Sequence, residues 1–150
     1  MSPSTRGIPQ HALLVCEPFS ARLGARAVAV ALAAGLREAG RPEPDEIVLP
    51  APTDDRETAA LLEHERFHER MRAARAVVLA VPALSERTLA GSAAFEIATL
   101  ARQSGVPCYA VAASVELDSF DLRILDLQKV VKARGPAALR RAGQELARVI

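Results

Sequence analysis

Residues 76 to 112 hold the arrangement that most restricts how this chain can fold. An apolar run, Ala76 to Ala83, is short enough to be a buried strand. It leads into a polar loop, Leu84 to Ser92, and then a helical stretch, Ala93 to Gly105. Gly105-Val106-Pro107 closes that helix before a second apolar run begins. Strand, loop, helix and strand in this order make a parallel crossover unit. In a parallel sheet such a loop lies at the carboxyl end of its strand, where open α/β folds place ligands. Its helix start presents unpaired N–H groups suited to an anion.

The same alternation runs through the rest of the chain. Strands are expected at His11 to Glu17, Glu46 to Leu49, Ala76 to Val81, Pro107 to Ala112 and Lys129 to Lys132. Ser20 is placed to cap a helix from Ala21 to Ala39 that turns Leu23, Ala27, Val30, Ala31 and Ala34 to one face. The polar turn Pro52-Thr53-Asp54-Asp55 caps a second helix, running to about Arg75. Leu117 to Leu127 is helical or irregular, and Gly135-Pro136 starts a last helix with Leu139, Ala142, Leu146 and Val149 inward. The chain is half hydrophobic but only 3% aromatic, so its core must be small aliphatic side chains packed closely, as in helices lying on a parallel sheet. The expected fold is α/β, in three layers: a parallel sheet of about five strands covered by helices on both faces. Residues 1 to 10 read as a disordered leader and 11 to 150 as a single domain.

Charge and cysteine content bound the function. The basic residues are 17 Arg and two Lys scattered among carboxylates, with a net charge of +1, which argues against a nucleic-acid surface. Cys16 and Cys108 each fall inside an expected strand, and two buried thiols suit a reducing compartment. No stretch has the apolar length of a bilayer span and the start lacks a signal-peptide core, so a soluble cytoplasmic protein with no membrane partner is expected.

One rim of such a sheet gathers the loops Glu17 to Arg22, Thr53 to Arg56, Leu84 to Ser92 and Ala113 to Asp118. They bring Glu17, Ser20, Asp55, Ser85, Thr88, Gly91, Ser92 and Ser114 as candidate binding residues, with Arg22, Asp54 and Arg87 as candidate catalytic ones. Ser20, Asp54 and Ser92 also have a purely structural reading as helix caps. A separate motif, His64-Glu65-Arg66-Phe67-His68, matches H-E-x-x-H on the second helix. There His64 and His68 would share a face as zinc ligands, with Glu65 as general base. A third ligand would have to be a carboxylate such as Glu86 or Glu96. The neighbouring Glu63, Glu69, Arg70 and Arg72 read as ordinary helix pairing.

Two segments carry a family resemblance. Glu17-Pro18-Phe19-Ser20-Ala21-Arg22-Leu23-Gly24-Ala25 resembles the opening Asp-Ser-Phe-Lys-Gly-Ser-Leu-Ser-Ala motif of bacterial-type glycerate kinases. Leu84-Ser85-Glu86-Arg87-Thr88-Leu89-Ala90-Gly91-Ser92 is similar to that family's Leu-Asp-x-Gln-Thr-Leu-x-Gly-Lys stretch, and Gly105-Val106-Pro107 and Ala112 to Asp118 continue the similarity. The resemblance implies the Rossmann-like domain of those kinases without the second domain that its members carry inserted. It implies Mg²⁺ and ATP as cofactors if phosphoryl transfer to glycerate is retained. This chain departs from the motifs at the positions such chemistry needs: Ser20 and Ser92 stand where the family has Lys, and Ser85 where it has Asp. Thr53-Asp54-Asp55-Arg56-Glu57-Thr58 replaces a glycine-rich turn.

The expectation is a truncated glycerate-kinase-like protein that binds a small anionic or nucleotide-like ligand at these loops, with weak or no phosphoryl transfer. The alternatives are an active minimal kinase using Arg22, Asp54 and Arg87, a zinc hydrolase using His64, Glu65 and His68, and a non-enzymatic interaction domain. A homodimer would be one way to replace the missing domain.

Overall fold

A computed structural model describes residues 10–50 and 55–150, the side chain of Asp55 excepted. Apart from Gln10, the expected leader lies outside the described residues, as do Thr53 and Asp54 of the polar turn. Five strands form one parallel sheet: β1 (Ala12–Cys16), β2 (Asp45–Val48), β3 (Ala76–Leu84), β4 (Cys108–Val115) and β5 (Val130–Lys132), in the order β2-β1-β3-β4-β5. The helices are α1 (Ala25–Glu38), α2 (Asp55–His64), α3 (Phe67–Arg72), α4 (Glu86–Leu89), α5 (Ala93–Gln103), α6 (Ser119–Leu125) and α7 (Gly135–Ala147).

Side chains alternate across a strand, and the apolar runs have no polar face to spare, so both sides of the sheet need cover. Leu13, Val15, Val77 and Leu79 point to one face, where Leu62 of α2, Phe67 and Met71 of α3, Ile97 of α5 and Leu125 of α6 pack on them. Leu14, Cys16, Val78 and Ala80 point to the other, against Leu32 and Leu36 of α1 and Leu139 and Leu146 of α7. This is the three-layer α/β arrangement expected, and no helix among the described residues is long and apolar enough to cross a membrane.

The helices α1 and α7 lie so close that their backbones touch. Gly35 faces the backbone of Arg140 and Gln144, and Gly143 faces that of Leu32 and Leu36. Arg140 donates to Glu38 across the rim of this contact, and Arg41 donates to the carbonyls of Ala147 and Ile150 beyond it.

Several local expectations are corrected. Helix α1 starts at Ala25 rather than Ala21, because Ser20 closes a tight turn: its hydroxyl accepts from the N–H groups of Arg22 (3.2 Å) and Leu23 (3.1 Å). The buried stripe of α1 is Val28, Ala29, Leu32, Ala33 and Leu36, and Val30, expected inside, is 56% exposed. With alanine at so many positions the helix has no single apolar period, and the bulkier Leu32 and Leu36 decide which way it rolls. At the end of α7, Ile150 is buried in place of Val149.

The long second helix is broken. Arg66 takes a left-handed backbone (φ 57°) between α2 and α3, a conformation that bulky residues adopt only when the surroundings impose it. Two anchors impose it here. Phe67 and Met71 drop into the core, and Arg70 donates to Asp45 at 2.6 and 2.9 Å, to the Glu46 carbonyl at 2.7 Å and to Glu65 at 3.1 Å. The guanidinium holds the Asp45 carboxyl below its ordinary range and pins α3 to the start of β2. Finally, β3 and β4 run about three residues further than their apolar cores suggest, with Ala83 opposite Ser114 and Leu84 opposite Val115.

Candidate functional site

Strand β1 sits between β2 and β3, so the chain leaves the carboxyl end of β1 towards one side of the sheet and leaves β3 towards the other. A crevice opens where those directions part. It is a cleft of about 370 Å³, within the range of small-molecule sites. Its floor is Glu17, its walls come from Leu49 and Pro50 after β2, Thr58 and Leu61 of α2, and Val81 to Ala83 of β3. The far side is Ser85, Arg87, Thr88 and the start of α5 from Gly91 to Ala94.

Each polar residue is held there by local structure. The Glu17 N–H donates to the Ala80 carbonyl at 2.9 Å, extending the β1–β3 ladder by one step and pointing the chain into the crevice. The residue is only 8% exposed, and its side chain accepts no hydrogen bond from a described residue. Burial alone pushes its carboxyl up from 4.5 to about 7, because an ion in an apolar wall loses its hydration. Arg87 projects from α4, exposed and without an ion pair among the described residues. Glu17 and Arg87 are the only charged groups among the described lining residues.

The hydroxyls form a frame rather than a free set. The Ser85 N–H donates to the Thr88 hydroxyl oxygen (3.0 Å), and the Ser92 hydroxyl donates to the Thr88 carbonyl (2.9 Å) while accepting from the Phe95 N–H (3.1 Å). Gly91, at φ 108°, makes the turn that lets α4 and α5 meet at this angle, a backbone that glycine alone adopts without strain. Ser92 is therefore a helix cap that also ties α5 to α4. Ser92→Ala is expected to cost about 1 kcal/mol in stability, read by urea denaturation, with the fold retained.

Six expected residues thus come together: Glu17, Ser85, Arg87, Thr88, Gly91 and Ser92. Ser20 and Arg22 stay outside the cleft, in the exposed turn before α1. Ser114 lies on β4 opposite Ala83 rather than on a loop. Asp54 and the Asp55 side chain fall outside the described residues. The apolar walls, Leu49, Pro50, Leu61 and Val81, were not anticipated, although strand ends at the carboxyl rim could have marked them.

The histidines do not share a helical face. His64 ends α2, His68 belongs to α3, and the left-handed Arg66 lies between them. Both are exposed, and Glu65 is engaged by Arg70. Among the described residues no three His, Cys, Asp or Glu side chains are grouped to hold a metal. His68 instead borders a shallow groove between α3 and α5, with Glu63, Arg66, Glu69 and Glu96 around it.

A magnesium triphosphate needs several cations and hard, ionised oxygen ligands. The described part of the cleft offers one guanidinium and one carboxyl whose burial favours the neutral form, so these residues do not fit that group. The model of a family described as the glycerate kinase family matches residues 47–150, a span holding every lining residue except Glu17 and leaving out the segment Glu17 to Ala25. Comparison with curated proteins gives no match.

Proposed function

Because the chain belongs to the glycerate kinase family, we propose that its cleft binds a small hydroxy-acid anion and that phosphoryl transfer is weak or lost. The observation that carries this reading is Arg87, a cation at the cleft with no ion pair among the described residues and with an otherwise largely apolar wall around it. Such a wall suits the carbon skeleton of a short acid, and one guanidinium suits one carboxylate, which it can grip with two parallel N–H donors. Glu17 at the floor is placed to meet a hydroxyl group. A polyphosphate would leave most of its charge uncompensated in the same space.

Nothing in the described residues supplies the second cation on which phosphoryl transfer relies for charge stabilisation at the transition state. The buried thiols support a reducing compartment such as the cytoplasm: burial pushes Cys108 up to about 12 and Cys16 further, so neither is a reactive thiolate.

Titration calorimetry with glycerate tests the reading. Arg87→Gln is expected to weaken binding by roughly tenfold or more, because the bidentate charged contact is removed while the cleft keeps its shape. Equal affinity in the variant, or ATP-dependent phosphorylation of glycerate by the unaltered protein, would overturn it.

A further inference from the structure

Among the described residues, Glu17 is the one ionisable group that the fold buries at the cleft, more than nine-tenths buried and with no described hydrogen-bond partner for its side chain. Its carboxyl oxygens are not sealed from solvent but open onto the cleft, where the surrounding apolar wall makes the ionised form costly. The groups that face it are few. Cys16 precedes it on β1 and stays a thiol. Glu46 on β2 adds, together with Glu17, to the negative field at that thiol. Arg87 of α4 lines the same cleft but makes no ion pair with Glu17 and plays no part in its shift, while β3, α2 and α5 present no titratable side chain to the cleft among the described residues.

Resting on the hydroxy-acid reading above, we propose that this site is proton-coupled: the acid enters as its anion, Arg87 pairs with its carboxylate, and Glu17 holds a proton while the ligand is bound. Charge balance in the cleft requires that proton. Among the described residues, with Glu17 ionised, the occupied cleft would hold two carboxylates and one guanidinium, a net negative charge between apolar walls. With Glu17 neutral, the ligand and Arg87 balance, and the Glu17 hydroxyl becomes a hydrogen-bond donor to the ligand's hydroxyl oxygen. The step balances as one anion and one solvent proton taken up by a site whose Glu17 is ionised, giving a complex in which that carboxyl is neutral.

The linkage has a definite sign. Burial already lifts the empty-site carboxyl to about 7, and an adjacent anion lifts it further. Below that range Glu17 is already protonated, so binding takes up no proton and affinity is flat. Above it each complex must recruit a proton, and affinity falls by roughly tenfold per pH unit.

The experiment is calorimetry of the full chain with glycerate at pH 6 and pH 8, in buffers of different ionisation enthalpy so that protons are counted. Near one proton per glycerate at pH 8 and close to none at pH 6 is expected. In Glu17→Gln the uptake should vanish and affinity should no longer vary with pH. Wild-type binding of equal strength at both pH values, without uptake, would overturn the proton coupling and leave the hydroxy-acid reading standing. Uptake that persists in Glu17→Gln would overturn the assignment to Glu17. No binding at pH 6 would overturn both. Circular dichroism of the variant at each pH establishes that it is folded.

Discussion

Gly35→Ala is expected to cost about 3 kcal/mol and to lower the melting temperature by roughly 6–12 °C, although alanine is the better helix former. A Cβ at Gly35 would fall on the carbonyl oxygen of Arg140 and press on the Gln144 amide, both backbone atoms that no rotamer change can move aside. The helices α1 and α7 would have to separate, and with them the layer that covers Leu14, Val78 and Val111. Gly143→Ala should behave alike, since its Cβ would meet the Leu32 carbonyl. The comparison that isolates the cause is Gly24→Ala, at the start of α1, where a Cβ meets nothing within 4 Å. That variant should melt within a few degrees of the parent. Thermal unfolding of the three proteins checks the expectation, and equal losses at Gly24 and Gly35 would contradict it.

The second large effect belongs to Glu17 and depends on pH. In the unfolded chain its carboxyl titrates near 4.5, and in the folded protein burial raises it to about 7. Below 4.5 both states are protonated and the group is neutral in the balance. Between these values the folded state holds more protons, so stability falls as pH rises. Above 7 the full penalty is present, about 3 kcal/mol for a shift of this size. Glu17→Gln removes the titration. The variant should match the parent near pH 4 and exceed it by about 2–3 kcal/mol at pH 8. Urea denaturation of both proteins across that range measures the difference, and a difference that does not change with pH would show that burial is not what governs this carboxyl. A residue that costs this much when the cleft is empty fits a site whose stability is surrendered for binding.

The fold was legible because its strands are short, apolar and separated by turn residues. Ala76 to Ala83 and Pro107 to Ala112 need two covered faces, and only helices on both sides of a parallel sheet supply them. Ends and faces were less legible. The strands β3 and β4 run on through Pro82, Ala83 and Ser114 because their mutual ladder continues past the apolar core. The rolled α1 and the broken α2–α3 segment have tertiary causes. Leu32 and Leu36 find α7, and Arg70 finds Asp45, a partner 25 residues away in the chain. Local periodicity has no term for either contact.

The site divided the same way. Leu84 to Ser92 was readable as the connection after a strand end, and it does supply one wall of the cleft, although Leu84 belongs to β3 and Glu86–Leu89 form the short helix α4 rather than a loop. Which hydroxyls remain available was not readable, since Thr88 and Ser92 satisfy the chain's own N–H and carbonyl groups. The H-E-x-x-H pattern failed for a physical reason of the same kind. Its spacing has metal-binding meaning only on an unbroken helix, and the Arg66 turn removes that condition.

The two outermost strands are also the two shortest: β2 has four residues and β5 three. An edge of that length exposes too few unpaired amides and carbonyls to template another strand, and Lys132 on β5 adds an exposed charge to one of them. Both margins of the described sheet are thus poor templates for growth, without a barrel being formed. Among the described residues, pairing of this sheet with another through its edges is thereby disfavoured.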